Sequence, residues 1–257
     1  MNISIAGGCF LFQQNVDELY HSMLKTRLQS ELQQEVNIDL IRYERLSSCF
    51  NKIIISALEA NPDILIFHLR AEPFIHLCKL YYKFESENKI EKRINLFIAG
   101  MSDADETELK VVHKISNKPR QVNNSLLNLS NLNYIVGVAL GNAYFSMKRY
   151  LNLIKKINEY CFQKNIRLIV AGAVPRPNNF FEDMLAKKFN AFVMKKLQKE
   201  NITFVDFMSL FNEDTLSYYC GDLTHVNEKG HKIFADVLTN YIKNTHRIKR
   251  ISLPIAI

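Results

Sequence analysis

The stretch GDLTHVNEKGH, which spans Gly221–His231, carries the strongest local pattern in the chain. It places Asp222 three residues before His225 on one tight turn. At this spacing the carboxylate can orient the imidazole ring and stabilise its protonated form. An isolated Asp-x-x-His pair more often caps a surface turn, but this one precedes an amphipathic pattern that predicts a helix with Asn227 as its N-cap. We therefore treat Asp222 and His225 as candidate catalytic residues.

Upstream of this stretch, short apolar runs alternate with longer helical patterns. This alternation is typical of a parallel sheet covered by helices on both faces. Several of the apolar runs are continuous, as expected for strands buried on both faces. The sequence therefore predicts an α/β protein with the three-layer α/β/α architecture, built on the strands Ile3–Ala6, Val36–Arg42, Ile64–Leu69, Ile166–Ala171 and Ile202–Asp206.

Two further segments bear on how the domain is organised. Apolar residues recur at helical spacing through Leu132–Ile157, which predicts one long amphipathic helix despite Gly137 and Gly141. The mostly polar segment Glu85–Asn131 fits no clear element, and we expect an insertion there, over residues 85–131. A length of 257 residues suits one large α/β domain, so we expect a single domain over residues 1–257.

Charge and composition limit the classes of partner and compartment. The 33 Lys and Arg residues exceed the 26 Asp and Glu residues, giving a net charge of +7, but basic and acidic residues share the same predicted helices, so a nucleic-acid partner is not favoured. No apolar run is long enough to span a membrane, and the N-terminus lacks a secretory pattern. The five cysteines form no Cys-x-x-Cys pair, which argues against a metal site or a disulfide framework. We expect a cytoplasmic protein without a cofactor.

The turn after the first predicted strand, Gly7-Gly8-Cys9-Phe10, is the second candidate for chemistry. Open parallel sheets bind ligands beyond the carboxyl ends of their strands, and glycines there allow close approach of a ligand. Cys9 lies where we expect the chain to enter a helix. A helix N-terminus and a nearby protonated histidine would both lower the pKa of its thiol. The alternative is a buried structural cysteine, the commoner fate of a lone Cys.

Together, the first turn and the late Asp-x-x-His pair resemble those of the SGNH (GDSL-type) hydrolase family. In that family a Gly-Asp-Ser turn after the first strand carries the nucleophile, and a late Asp-x-x-His completes the triad. The order of elements also resembles the family's over the whole chain, apart from Glu85–Asn131. The resemblance implies a flavodoxin-like strand order, 2-1-3-4-5. It also implies that His225 is the general base, Asp222 its orienting carboxylate and Cys9 the nucleophile in place of serine.

The chain departs from the family pattern at several positions that surround this triad. Gly8 replaces the aspartate before the nucleophile, and the second family block has no clear equivalent around Arg45–Ser48. In the third block, Arg70 stands where the family has a glycine and Glu72 where it has the oxyanion asparagine. Loss of one oxyanion donor typically costs about 10²–10³ in rate.

Several residues could replace the lost oxyanion donors or bind the substrate. Arg70 could act as a charged donor or bind a substrate carboxylate or phosphate; the alternative is an Arg70–Glu72 ion pair that shapes the loop. Arg176, after the fourth strand, also lies on the ligand side, unless it is a solvated loop charge. Gly8 and Phe10 complete the candidate substrate and oxyanion set.

Two classes of function remain open at this point. The first is an acyl-handling enzyme, an esterase, thioesterase or acyltransferase, that acts on a small-molecule or carrier-bound acyl substrate through a thioester at Cys9. The second is a catalytically degenerate protein of the same fold that serves as a binding or scaffolding module. The missing oxyanion residues favour the second class, whereas Asp222 and His225 favour the first. The substrate, the choice between hydrolysis and transfer, and the oligomeric state stay open.

Overall fold

The computed structural model describes residues 1–13, 16–43, 46–78, 81–86, 89–94, 129–211 and 214–251. Its strands are β1 (Asn2–Gly7), β2 (Asn37–Arg42), β3 (Ile64–His68), β4 (Tyr81–Ser86), β5 (Lys89–Ile94), β6 (Arg167–Ala171) and β7 (Thr203–Val205). Within the described chain, five of them form one parallel sheet in the order β2-β1-β3-β6-β7. Counted without the β4–β5 hairpin, this is the order 2-1-3-4-5, so the predicted sheet is confirmed.

Helices cover both faces of this sheet. They are α1 (Tyr20–Leu32), α2 (Leu46–Ala60), α3 (Ala71–Cys78), α4 (Leu129–Ala139), α5 (Asn142–Gln163), α6 (Phe180–Gln198) and α7 (Glu228–Ile251). Helices α1 and α7 pack together over one face, while α2, α3, α5 and α6 contribute to the core on the other. The three-layer architecture follows directly from this arrangement.

The central strand β3 shows why the apolar runs become strands. All five of its residues are buried. Leu65 and Phe67 face the core under α2, α3, α5 and α6, whereas Ile64 and Ile66 face the core under α1 and α7. Because neighbouring side chains in a strand point to opposite faces, a strand with helices on both sides is apolar along its length. Because β3 is buried along its whole length, polar groups that could meet a ligand have to come from the ends of the strands and from the loops that follow them.

The prediction of one helix over Leu132–Ile157 is wrong, because the chain breaks between α4 and α5. Gly141 has a φ of 86°, in the left-handed region, and lies immediately before α5. Its backbone N–H still donates to the carbonyl of Val138 (2.9 Å), which closes the last turn of α4. Glycine adopts this conformation without steric cost, and helices commonly end at such a residue. Gly137, in contrast, stays inside α4.

The predicted insertion is described only at its edges. Strands β4 and β5 pair antiparallel in a small separate sheet, with Tyr81 opposite Ile94. Residues 95–128 lie outside the described residues, and the insertion at 85–131 stays a prediction. Within the described ranges, no helix is long and apolar enough to cross a membrane.

Candidate active site

Asp222 and His225 form a buried hydrogen-bonded pair in the loop before α7. Oδ2 of Asp222 lies 2.6 Å from Nδ1 of His225. The other carboxylate oxygen, Oδ1, accepts from the backbone N–H groups of His225 and Thr224, each at 3.0 Å. Both side chains are buried, with relative exposures of 6% for Asp222 and 3% for His225. The carboxylate therefore fixes both the backbone turn and the ring of the histidine.

The electrostatics of this pair set the tautomer of the histidine. Burial by itself would raise the pKa of Asp222, but the hydrogen bonds from His225 and Thr224 outweigh it and hold that pKa below its ordinary value. The carboxylate is thus ionised near neutral pH and can only accept hydrogen bonds. Because Nδ1 of His225 must then carry the proton, Nε2 is the nitrogen that acts as a base. This is the orientation that a histidine base requires.

The loop takes this shape through a small number of backbone features. Leu223 adopts the left-handed region at a φ of 54°, which turns the chain between Asp222 and His225. The N–H of Cys220 donates to the carbonyl of His225 at 2.7 Å, closing the turn. Asn227 caps α7, since its Oδ1 accepts from the N–H of Gly230 at 3.2 Å. The predicted N-cap is therefore confirmed.

The turn that carries Cys9 lies at the carboxyl end of β1. Cys9–Leu11 form a single 3-10 turn, in which the N–H of Leu11 donates to the carbonyl of Gly8 at 3.2 Å. The next α-helix, α1, begins only at Tyr20. The expectation that Cys9 stands at the N-terminus of an α-helix is therefore wrong, because one 3-10 turn does not align enough peptide dipoles to act like a helix end. The side chain of Cys9 lies outside the described residues.

Gln13 links the Cys9 turn to the His225 loop. Its buried Nε2 donates to the carbonyl of Val226, the residue after His225, at 2.9 Å. The same nitrogen lies 3.6 Å from Sγ of Cys220. Because Gln13 follows Cys9 by four residues, this hydrogen bond brings the two loops to the same edge of the sheet. Sequence reasoning missed this contact, which joins positions 213 residues apart.

Arg70, after β3, lies directly against the turn before Cys9. A Cβ built on Gly8 would come within 2.6 Å of Nε of Arg70, so the guanidinium fills the space that a side chain would take. Nη1 of Arg70 donates to the carbonyl of Tyr43 at 2.6 Å, and the carbonyl of Arg70 accepts from Tyr150 Oη at 2.9 Å. Gly8 therefore permits the approach of a charged donor to the turn that carries Cys9.

A cleft opens at this edge of the sheet, and its walls include several predicted site residues. Its empty space is about 370 Å³, open mouth included, and it is lined by Gly8, Phe10, His68, Leu69, Arg70, Ala71, Gly172, Val174 and Arg176. The loop with Arg176 is tied to the His225 loop, since Oη of Tyr219 donates to the carbonyl of Pro175 at 2.6 Å. The structure thus brings Gly8, Phe10, Arg70 and Arg176 together in one cleft, and the loop that carries Arg176 contacts the loop that leads to Asp222 and His225. The side chain of Glu72 lies outside the described residues.

His68 is a packed, buried histidine that also lines the cleft. Its Nε2 lies 2.6 Å from Oη of the buried Tyr20, and its ring packs edge-to-face on Phe10 at 4.8 Å between centroids. Burial lowers the pKa of His68 to about 3, which keeps the imidazole neutral at the floor of the cleft. The hydroxyl of Tyr43 donates to its carbonyl. This polar cluster stiffens the end of β3, from which Arg70 projects.

The sheet order, the cleft at its carboxyl edge and the late Asp-His pair together define an SGNH-like α/β/α fold. Solved structures share it at low sequence identity. The lipase Lip_vut3 from a goat rumen metagenome is 12% identical with a TM-score of 0.55, over 93% of this chain and 95% of its own. A lipolytic protein of the G-D-S-L family from Desulfitobacterium hafniense is 11% identical with a TM-score of 0.53, over 93% and 98% of the two chains.

An acetyl-xylooligosaccharide esterase variant, Axe2 from Geobacillus stearothermophilus, is also similar in fold. It is 11% identical with a TM-score of 0.56, over 93% of this chain and 92% of its own. No protein-family model matches the chain, and no curated protein matches it in sequence. At these identities the likeness establishes the fold, which is the one adopted by GDSL-type lipases and esterases.

Proposed function

We propose that the protein hydrolyses an ester or thioester bond of an acyl substrate, with Cys9 as nucleophile, His225 as general base and Asp222 as its orienting carboxylate. The observation that carries this proposal is the buried Asp222–His225 pair, held by Gln13 against the loop that begins at Cys9. The solved proteins of the same fold are named as lipases and esterases, which supports the reaction class.

The reaction proceeds in two steps. His225 takes the proton of the Cys9 thiol, and the thiolate attacks the carbonyl carbon of the substrate. The bond to the leaving group then breaks, and the imidazolium returns the proton to that group, leaving an acyl thioester on Cys9. In the second step His225 takes a proton from water, whose oxygen attacks the carbonyl carbon of the thioester. The carbon–sulfur bond then breaks, the acid is released, and the imidazolium returns its proton to the Cys9 thiolate.

Arg70 supplies the oxyanion donor in this proposal. Its guanidinium lies against Gly8, the residue next to Cys9, so it is close to the carbonyl that the nucleophile attacks. A charged donor forms a stronger hydrogen bond to a developing oxyanion than a neutral amide does. In this proposal the guanidinium of Arg70 takes over from the glycine and asparagine donors that the family resemblance would place in the third block.

The same thioester can also be attacked by an alcohol or amine, which would make the protein an acyltransferase. Para-nitrophenyl acetate in water containing a graded series of methanol distinguishes the two outcomes. A hydrolase releases acetate at every methanol concentration, whereas a transferase forms the methyl ester preferentially and speeds up with the acceptor. We expect hydrolysis, since the proposal needs no second substrate site.

The decisive experiment compares turnover of para-nitrophenyl butyrate by the wild type with that by Cys9→Ala, Cys9→Ser and His225→Ala. We expect Cys9→Ala and His225→Ala to fall to background, and Cys9→Ser to keep a fraction of activity. Cys161→Ala is the matched control, because Cys161 is a core residue on the buried face of α5. Wild-type turnover in Cys9→Ala, or no turnover of any acyl ester or thioester by the wild type, would contradict the proposal and leave the fold as a binding module.

A further inference from the structure

His68, the last residue of β3, packs against the turn that carries Cys9. A Cβ built on Gly7 would lie 3.5 Å from Cβ of His68, and the ring of Phe10 packs edge-to-face on the imidazole. Phe207 stacks on the same imidazole with 5.8 Å between centroids. Because Gly7 and Phe10 lie on either side of Cys9 in the chain, the imidazole is held beside this turn.

Tyr20 sets the tautomer of His68. Oη of Tyr20 lies 2.6 Å from Nε2 of His68, and Tyr20 is wholly buried. Burial raises the pKa of Tyr20 well above its ordinary value, so the hydroxyl keeps a proton that needs an acceptor. Among the described residues, Nε2 of His68 is the only hydrogen-bond partner of this hydroxyl. Tyr20 therefore donates to Nε2, and the single proton of the neutral imidazole is on Nδ1.

The Nδ1–H group of His68 is directed to the cleft. His68 is one of the cleft residues, and Nδ1 is not enclosed by the protein. In the part of the chain that the structure describes, no group accepts a hydrogen bond from Nδ1. Burial lowers the pKa of His68 to about 3, so the ring stays neutral and keeps this donor at neutral pH. A neutral imidazole of fixed tautomer can polarise a carbonyl group.

We propose that His68 is a second oxyanion donor, whose Nδ1–H binds the carbonyl oxygen of the substrate together with Arg70. This inference rests on the proposed function, since it assigns one more residue to the same reaction. Arg70 lies against Gly8 and His68 against Gly7, so both donors flank one turn and line one cleft. His68 transfers no proton. Its hydrogen bond strengthens as negative charge develops on the carbonyl oxygen, and this lowers the barrier of both steps.

Two variants of His68 separate the donor from the packing of the ring. In His68→Gln the amide reaches the position of Nε2, which keeps a partner for Tyr20 and removes the donor at Nδ1. In His68→Asn the shorter amide occupies the position of Nδ1, which keeps the donor and removes the partner of Tyr20. We expect His68→Gln to be the more stable variant in urea and yet the slower one. Its kcat for para-nitrophenyl butyrate should fall roughly 10²–10³-fold, with KM little changed.

The matched control is His231→Gln. His231 is a wholly buried histidine of α7 that stacks on Tyr20 with 6.1 Å between centroids, and it is not one of the described cleft residues. We expect His231→Gln to leave kcat unchanged. If kcat instead follows stability, so that His68→Asn is the slower variant, His68 has a structural role only. The inference is then wrong and the proposed function stands, as it also does if His68→Gln keeps the wild-type kcat.

NMR spectroscopy of the ring nitrogens tests the donor in the wild type without any turnover. In protein made with isotope-labelled histidine, we expect the proton of His68 to be on Nδ1, with His68→Gln identifying the signal. Butanal, which adds to a thiol as a tetrahedral hemithioacetal, and butyrate should both shift the Nδ1–H signal. If the wild type hydrolyses no ester, the proposed function fails and this titration decides whether His68 is a donor in the cleft. A proton on Nε2, or an Nδ1–H signal that neither compound shifts, overturns the inference.

Discussion

The carboxylate of Asp222 lies 2.6 Å from Nδ1 of His225 and also accepts the backbone N–H of the same histidine. Ring and backbone of His225 are therefore held by a single side chain. Because the pKa of Asp222 stays below its ordinary value despite burial, the carboxylate is charged at neutral pH. The proposed base depends on this contact for its tautomer.

Replacing Asp222 by Asn tests that dependence. The amide can donate through its nitrogen, which stabilises the wrong tautomer of His225, and we expect kcat/KM for para-nitrophenyl butyrate to fall by roughly 100-fold or more. The matched control is Asp236→Asn, which changes an exposed carboxylate of α7. Equal activity of both variants would show that the Asp222–His225 pair only shapes the loop.

Gly8 and Arg70 should be energetically coupled. A Cβ at Gly8 would lie 2.6 Å from Nε of Arg70, so Gly8→Ala must displace the guanidinium and should cost roughly 1–3 kcal/mol of unfolding free energy. In an Arg70→Ala background the added methyl group finds open space, and the cost should largely disappear. A double-mutant cycle by urea unfolding measures the coupling. Strictly additive effects would mean that the two residues do not touch in solution.

The hydrogen bond from Gln13 to the carbonyl of Val226 should matter both for stability and for activity. Gln13→Leu keeps the size of the side chain and removes the buried donor, so we expect a loss of roughly 1–2 kcal/mol and a lower kcat. The readouts are urea unfolding and ester turnover. Gln163→Leu, at the exposed end of α5, is the control that should change neither. Unchanged turnover in Gln13→Leu would show that ester hydrolysis does not depend on this contact between the Cys9 turn and the His225 loop.

Burial of His68 predicts a loss of stability in acid. The folded-state pKa of about 3 lies below the ordinary value of 6.5, so the unfolded chain binds a proton first as the pH falls. His68 therefore destabilises the fold progressively between these two values, by about 2–3 kcal/mol at a pH near 4.5. His68→Gln should flatten the dependence of unfolding free energy on pH in that window. An unchanged slope would show that His68 is not buried as a neutral ring.

The sheet could be predicted from the sequence because strands such as β3 are buried on both faces and are apolar throughout. The Asp222–His225 contact could also be predicted, since both residues lie on one local turn. The break at Gly141 could not, because helical periodicity continues across it and does not report the sign of φ. Helical periodicity shows only which face of a helix is apolar. Because α4 and α5 both present their apolar faces to the same core, the pattern continues across the break.

The walls of the cleft were the hardest part to predict, because they depend on contacts between distant segments. Gln13 reaches Val226, and Arg70 donates to Tyr43, through hydrogen bonds that no local pattern signals. Glu182 lies in the first turn of α6, where an acidic residue is expected for helix stability alone. Its ion pair with Arg176 forms only when the loop after β6 folds against α6, so no local pattern predicts it.

The reactivity of Cys9 tests the central claim most directly. The measurement is the rate of alkylation by iodoacetamide as a function of pH, resolved for each cysteine by peptide mass spectrometry, in the wild type and in His225→Ala. Cys78 and Cys161 serve as internal references, because burial raises the pKa of both thiols, that of Cys161 to about 12. We predict that Cys9 reacts fastest at neutral pH, with an apparent pKa below the ordinary value near 8.5, and that His225→Ala slows it about tenfold. A Cys9 rate that is indifferent to His225 and follows an ordinary thiol pKa would contradict the account.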